Sequence, residues 1–150
     1  RRSSDLMFIR QISVFIENRK GRLAEFCRLL GENGIDMIAI TIADTTSFGI
    51  LRAIVDDTDR AVKVLRDANY AVTVTEVLAV AIDDRPGGLA VALEKLRDAG
   101  ISVEYLYSFV RHIESQCVIL FRVDDPTLAV KVFNDGGVHL LSFEEVVKHK

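Results

Sequence analysis

The sequence is poor in the residues that build catalytic, metal-binding or cross-linked frameworks. Its 150 residues include two cysteines, three histidines and two prolines. Cys27 and Cys117 lie in apolar segments, and their spacing excludes a duplicated disulfide framework. They read as buried free thiols in a reducing compartment, the cytoplasm. His112, His139 and His149 fall in the second half without metal-ligand spacing, so loop or surface roles are expected for each and no metal site. No CxxC, no G-x-x-x-x-G-K-[ST] loop and no recurring Ser/His/Asp or Cys/His set is present. These absences point away from an enzyme and from any cofactor. No run approaches the roughly 20 apolar residues of a membrane span, and no signal-peptide pattern opens the chain. Lysine plus arginine number 19 against 22 aspartates and glutamates, a net charge of -3. The two signs are interspersed, so no basic stripe invites nucleic acid or a membrane surface.

What is present is an internal repeat. Residues 12–77 and 78–146 are two copies of one module. Ile16-Glu17-Asn18-Arg19-Lys20-Gly21-Arg22-Leu23 matches Ile82-Asp83-Asp84-Arg85-Pro86-Gly87-Gly88-Leu89 at an offset of 66, and Gly34-Ile35-Asp36 matches Gly100-Ile101-Ser102. Two extra residues then raise the offset to 68, where Val55-Asp56-Asp57 matches Val123-Asp124-Asp125 and Ala61–Val64 matches Ala129–Val132. With 49% hydrophobic and 27% charged residues, there is apolar material for two small cores. Modules of about 70 residues are marginal alone and are expected to pack on each other or on a second chain. We read residues 1–8 as a leader, flexible or not native, residues 9–77 as the first module and residues 78–150 as the second. The polar stretch Arg1–Asp5 takes no part in the fold expectation.

Each module reads as strand, helix, strand, strand, helix, strand. Opening strands are expected over 11–17 and 78–83. Leu23, Phe26, Cys27 and Leu30 then form one apolar helical stripe, repeated as Leu89, Ala92, Leu93 and Leu96. Gly34 and Gly100 follow as left-handed caps. Second strands fall at 35–43 and 101–110, third strands at 49–55 and 117–123, joined by hairpin links at 44–47 and 111–115. Asp57 and Asp125 are N-caps of the second helices, with Pro126 in the first helical position. Closing strands run over 71–77 and 138–141. The order βαββαβ with right-handed crossovers gives an α+β fold, two ferredoxin-like sandwiches in tandem. Each has a four-stranded antiparallel sheet with two helices on one face. Several strands are apolar on both faces, which calls for a second cover and predicts a homodimer.

RNA binding, which this topology also supports elsewhere, needs stacking aromatics in the third strand that residues 48–55 and 116–123 do not supply. The paired acids Asp56-Asp57 and Asp124-Asp125 fit capping better than acid-base catalysis. The glycine turn remains. It joins strand to helix, so backbone N–H groups and an unsatisfied helix N-terminus face one spot, a geometry suited to a carboxylate. Asn18 or Asp84 can hold an amine or orient the loop. The competing reading is that Gly21 and Gly87 simply make a tight turn.

The pattern hydrophobic-x-[ND]-R-[KP]-G-x-L, then G-I-[DS], then a long hairpin, closely resembles ACT domains over residues 10–146, twice. ACT domains are small amino-acid-sensing modules attached to enzymes of amino-acid metabolism. Asp84-Arg85-Pro86-Gly87 is the most specific part. The resemblance implies an effector bound between two modules, with the turn of one cradling its main-chain groups and the second-strand start of the other completing the pocket. Carried onto this chain, one site pairs Asn18, Arg19, Lys20, Gly21, Arg22 and Leu23 with Ser102, Val103, Glu104 and Tyr105. The other pairs Asp84, Arg85, Pro86, Gly87, Gly88 and Leu89 with Asp36, Met37 and Ile38. Helix-start N–H groups would take the carboxylate, and Asn18 or Asp36 the ammonium. Lys20 stands where the family often has proline, Asp84 where it usually has asparagine, and Ser102 where Asp or Asn is common. One good site and one weaker or altered site are expected. On strand alternation, Glu104 and Tyr105 should point to opposite sheet faces. The expectation is therefore a non-catalytic protein that binds a free amino acid at the interface between modules, either regulating a partner enzyme of amino-acid metabolism or serving as a sensor or binder. The alternatives are a ligand-free assembly module and a small enzyme on the same scaffold.

Overall fold

The computed structural model describes residues 6–44, 47–113 and 115–148, with the side chains of 44 and 110–113 excepted. Residues 1–5 of the expected leader 1–8, the link residues Thr45, Thr46 and Glu114, and His149 lie outside the described residues, as does the side chain of His112. The rest of that leader is ordered structure, since Phe8 opens the first strand and Met7 and Phe8 pack on a core. The elements run β1 (Phe8–Glu17), α1 (Arg22–Glu32), β2 (Met37–Asp44), β3 (Phe48–Val55), α2 (Thr58–Asp67), β4 (Val72–Asp83), α3 (Gly88–Asp98), β5 (Val103–Ile113), β6 (Gln116–Val123), α4 (Pro126–Asp135), β7 (His139–Leu141) and α5 (Phe143–Lys148). The chain divides into two compact units. Arg10–Thr75 form the first-repeat unit, and residues 6–9 group with the chain from Glu76 onward in the second-repeat unit.

In the first-repeat unit the strand order is β2-β3-β1 followed by the start of β4, antiparallel at the β2–β3 and β1–β3 pairings. One set of alternating side chains, Ile12, Val14 and Ile16 with Leu51, Ala53 and Val55, packs under Phe26 and Leu30 of α1 and Ala61 and Leu65 of α2. Alternation places the whole set on one sheet face, which is why both helices lie there. The second-repeat unit repeats the plan as β7-β4-β6-β5, with α3 and α4 over Leu78, Val80, Ile82, Phe121 and Val123. Each large apolar side chain fully removed from water contributes about 1.5–3 kcal/mol, and each repeat has its own cluster of them. The ferredoxin-like repeat is thus the fold.

The helix ends follow from local chemistry. Asp57 accepts a hydrogen bond from the Arg60 N–H at 3.2 Å, and Asp125 accepts one from the Leu128 N–H at 3.1 Å. Gly34 and Gly100 take φ of 68° and 74°, so α1 and α3 stop where only a residue without a Cβ turns left-handed cheaply.

Four features depart from the sequence reading. Closing strand 71–77 and opening strand 78–83 are one strand, β4, because Val72–Asp83 contains no turn residue to break it. β1 begins at Phe8, three residues earlier than expected, and Met7 and Phe8 pack against the core of the second-repeat unit. β5 continues to Ile113, which shortens the expected link over 111–115. Finally, a last helix, α5, follows β7. Ser142 and Glu145 exchange hydrogen bonds at its start, Ser142 N–H to Glu145 Oε1 at 3.0 Å and Glu145 N–H to Ser142 Oγ at 3.3 Å. This capping box is the S-x-x-E signal of residues 142–145.

Candidate ligand site at the repeated glycine turns

Both turns have the same skeleton, hydrogen bond for hydrogen bond. The Arg19 N–H donates to the Glu17 carbonyl and the Arg22 N–H to the Arg19 carbonyl, at 2.9 and 3.2 Å. The Arg85 N–H donates to the Asp83 carbonyl and the Gly88 N–H to the Arg85 carbonyl, at 2.9 and 3.0 Å. The Asn18 and Asp84 N–H groups bond to the Ser47 and Ser115 carbonyls, tying each turn to its own hairpin. Gly21 and Gly87 stand at the helix N-caps with φ of 85° and 83°. An N-cap normally sits in extended backbone and contributes a side-chain oxygen. These two do neither, and among the described residues no side chain caps α1 or α3. α2 and α4 each have an aspartate in that role. The turns themselves engage the Arg22 and Gly88 N–H groups, but the following N–H groups of α1 and α3 have no side-chain cap, where α2 and α4 each have one such group capped by aspartate.

The side chains around the turns are also partly duplicated. Arg19 Nε lies 3.3 Å from Glu17 Oε2, and Arg85 Nε lies 3.6 Å from Asp83 Oδ2. Each arginine is therefore partly neutralised by the acid that ends the preceding strand. Asn18, Arg19, Lys20 and Gly21 are exposed, as are Asp84, Arg85, Pro86 and Gly87. Arg22 differs. Its side chain turns inward, with Nη1 3.0 Å from Glu25 Oε2 and the guanidinium 4.2 Å from the centre of the Tyr70 ring. Its Nε is buried and has no hydrogen-bond partner among the described residues. Burial pushes the Tyr70 phenol above its usual value, while the Arg22 charge pulls it back. Leu23, at the first turn of α1, is 40% exposed, so it is an apolar side chain offered at the turn.

Asp36 and Ser102 precede the second strands, in matching clamps. The Asp36 N–H donates to Asp56 Oδ1 at 3.0 Å and the Asp36 carbonyl accepts from the Asp56 N–H at 3.1 Å. The Ser102 N–H donates to Asp124 Oδ1 at 3.0 Å and the Ser102 carbonyl accepts from the Asp124 N–H at 3.1 Å. Only one acid of each pair is a helix cap. The other fixes the backbone of a candidate site residue, a role that sequence spacing alone did not show.

Both second strands carry an irregularity just after their first residue, at Met37/Ala39 and at Val103/Tyr105. Two residues there oppose one, so strict alternation fails. Tyr105 stands opposite Arg122, and Glu104 Oε2 also reaches Arg122 Nε at 3.2 Å. The expectation that Glu104 and Tyr105 diverge by simple alternation does not allow for this bulge. In the first repeat Ile38 occupies the bulge and is buried.

Residues 7–148 match the family described as an ACT domain pair. The chain belongs to that family. A crystal structure of a Bacteroides thetaiotaomicron protein is 35% identical to this ACT pair, with a TM-score of 0.89, covering 95% of this chain and 97% of the other. Two structures of regulatory subunits of aspartate kinase share the fold at lower identity. That from Thermus thermophilus, in a ligand-free form, is 16% identical with a TM-score of 0.63, covering 89% of this chain and 95% of the other. That from Thermus flavus is 13% identical with a TM-score of 0.59, covering 85% and 92%. No curated protein sequence matched the chain. Among the described residues, no group of His, Cys, Asp and Glu could hold a metal, and no helix of the ACT pair is long and apolar enough to cross a membrane.

Proposed function

We propose that this ACT pair binds a free amino acid at its glycine turns, is not catalytic, and acts in the cytoplasm as a homodimeric regulator or sensor of amino-acid metabolism. Its output would pass to a partner enzyme. One observation carries the reading. In both repeats, α1 or α3 opens at a left-handed glycine with no side-chain cap, while the neighbouring α2 or α4 is capped by aspartate. A carboxylate is the ligand group that complements such a helix start.

The sequence favours unequal sites. The turn of Asn18, Arg19, Lys20, Gly21, Arg22 and Leu23, completed by a second-strand start of the type Ser102–Tyr105, is the better equipped. Asn18 carries an amide that can accept from an ammonium, and Glu104 and Tyr105 can read a side chain. The turn of Asp84–Leu89, completed by Asp36, Met37 and Ile38, is the weaker. A thermal-shift screen of the whole protein against the twenty amino acids tests the reading. A ligand at about 100 times its dissociation constant adds about 2.7 kcal/mol and raises the melting temperature visibly. Asn18→Ala should weaken such a hit far more than Asp84→Ala; equal and negligible effects of both would remove the turn assignment.

A second reading is favoured by Phe15 and Phe48, which are 56% and 51% exposed on the sheet face turned away from α1 and α2. Such a patch suits a ligand-free assembly module that dimerises through its sheets. No shift with any amino acid, together with a dimer that Phe15→Ser and Phe48→Ser dissociate, would favour it.

A further inference from the structure

One corner of the second-repeat unit is lined by small residues and open, where the aligned positions of the first unit carry large side chains. A cavity of about 240 Å³ lies there, between α3, the end of α4 and the edge formed by β4 and β7. The repeat offset identifies what fills this corner in the first unit. Arg22, Phe26 and Tyr70 correspond to Gly88, Ala92 and Val138. In the first unit Phe26 and Tyr70 meet edge to face at 5.6 Å and Arg22 lies over the Tyr70 ring. The second unit places its aromatic pair elsewhere. Phe121 and Phe133, edge to face at 6.0 Å, stand where the first unit has Ala53 and Leu65. The second core is filled by moving its rings toward β6 and α4, and the corner stays open. Gly88 fixes that state, because a Cβ there would collide with the Asp83 carbonyl oxygen.

The cavity walls combine an apolar floor with an excess of basic groups. Ala92 and Val138 supply the floor, and Arg85, Lys95 and His139 the basic groups. Asp83, the acidic residue of the lining, is already engaged by Gln116 at 3.3 Å and Arg85 at 3.6 Å. His139 Nε2 faces Glu145 at 4.0 Å, at the limit of an ion pair. The Lys95 stem runs beside Gly136, where an added Cβ would come within 2.9 Å of its Cδ. At about 240 Å³ the space is below the roughly 300–1,000 Å³ of sites for drug-sized ligands.

We propose that this cavity binds a small organic monocarboxylate with a short apolar body, its carboxylate on Lys95 and its body against Ala92 and Val138. The site shares Arg85 and Gly88 with the second glycine turn but needs no ligand at either turn, so it stands apart from the amino-acid reading.

The test uses the ¹⁵N-labelled full chain and two probes without an ammonium group, 4-methylpentanoate and the neutral 4-methylpentanamide. The carboxylate should give saturable amide shifts at Lys95 and at residues 136–139, with the amide probe at least about tenfold weaker, a difference of about 1.4 kcal/mol. Lys95→Gln should weaken the carboxylate about tenfold and leave the amide unchanged. Val91→Trp, at a half-exposed position on the cavity wall, should block both probes. The same spectra report whether each variant is folded, and Lys95→Gln carries the test if the tryptophan variant is not. No saturable shift at these amides up to about 50 mM, beyond any specific millimolar affinity, would overturn the proposal. So would equal binding of the acid and its amide.

Discussion

The guanidinium of Arg22 lies 4.2 Å from the centre of the Tyr70 ring, and Tyr70 in turn meets Phe26 edge to face. This stack ties the start of α1 to the segment between α2 and β4, so its loss is a loss of packing more than of charge. Tyr70→Ala should destabilise the first-repeat unit by about 3–5 kcal/mol and Tyr70→Phe by less than about 1.5 kcal/mol. Urea unfolding followed through resolved amide signals of that unit measures both.

The same ring gives a pH dependence. Burial raises the Tyr70 pKa above its usual value of 10.0, with Arg22 opposing. The folded unit therefore keeps the phenol proton after the unfolded chain has begun to release it. Stability from this group is whole below about pH 10 and falls as pH rises toward the folded-state value. Comparing the urea midpoint of the protein with that of Tyr70→Phe across this range should show a steeper alkaline loss in the parent. Arg22→Met, which removes the opposing charge, should raise the phenol pKa further in an ultraviolet titration.

Gly88→Ala and Gly21→Ala should not behave alike. At Gly21 nothing lies within 4 Å of an added Cβ, so the cost is the left-handed backbone alone, about 1–2 kcal/mol. At Gly88 the Cβ meets the Asp83 carbonyl, and the turn must rebuild. Thermal melting should place Gly88→Ala below Gly21→Ala, and only the former should disturb the amides of residues 83–88.

The Asp56 and Asp124 clamps predict a local effect without a global one. Asp56→Ala should speed hydrogen exchange at the Asp36 amide and leave the Ser102 amide protected; Asp124→Ala should do the reverse. Each clamp stays within its own unit, so the effects should not cross.

Removing a helix cap should cost more uniformly. Asp57→Ala and Asp125→Ala should each destabilise by about 0.5–2 kcal/mol. Asn in either place should recover most of it, because its side-chain oxygen can accept the same N–H. Equal losses from Ala and Asn would mean that the helix-dipole charge matters more than the cap hydrogen bond.

Features that depend on a few adjacent residues were legible in the sequence. Gly21 and Gly87, the Asp57 and Asp125 caps, Pro126, and the turns at Gly34 and Gly100 all follow from backbone rules acting over four or five positions. The Ser142–Glu145 capping box is equally local, but it lies beyond the sixth element that completes the repeat, so the repeat pattern does not point to it. Features set by distant partners were not legible. The bulges at Ile38 and Glu104 depend on how β3 and β6 pair beside them. The inward turn of Arg22 depends on Tyr70, 48 residues away, and the hollow corner depends on rings at Phe121 and Phe133. The continuity of β4 follows from the absence of any turn residue over 72–83, although the repeat boundary at 77/78 falls within it.

The exchange of Phe26 and Tyr70 in one repeat for Phe121 and Phe133 in the other has a consequence for how the duplication can be edited. The repeats share a wiring diagram but keep their ring volume in different rooms. A side chain moved from one copy to its aligned position in the other arrives either in occupied space or beside a void. Chimeras of the two halves should therefore fold only when all four core positions, 26, 53, 65 and 70 or 92, 121, 133 and 138, travel as one set.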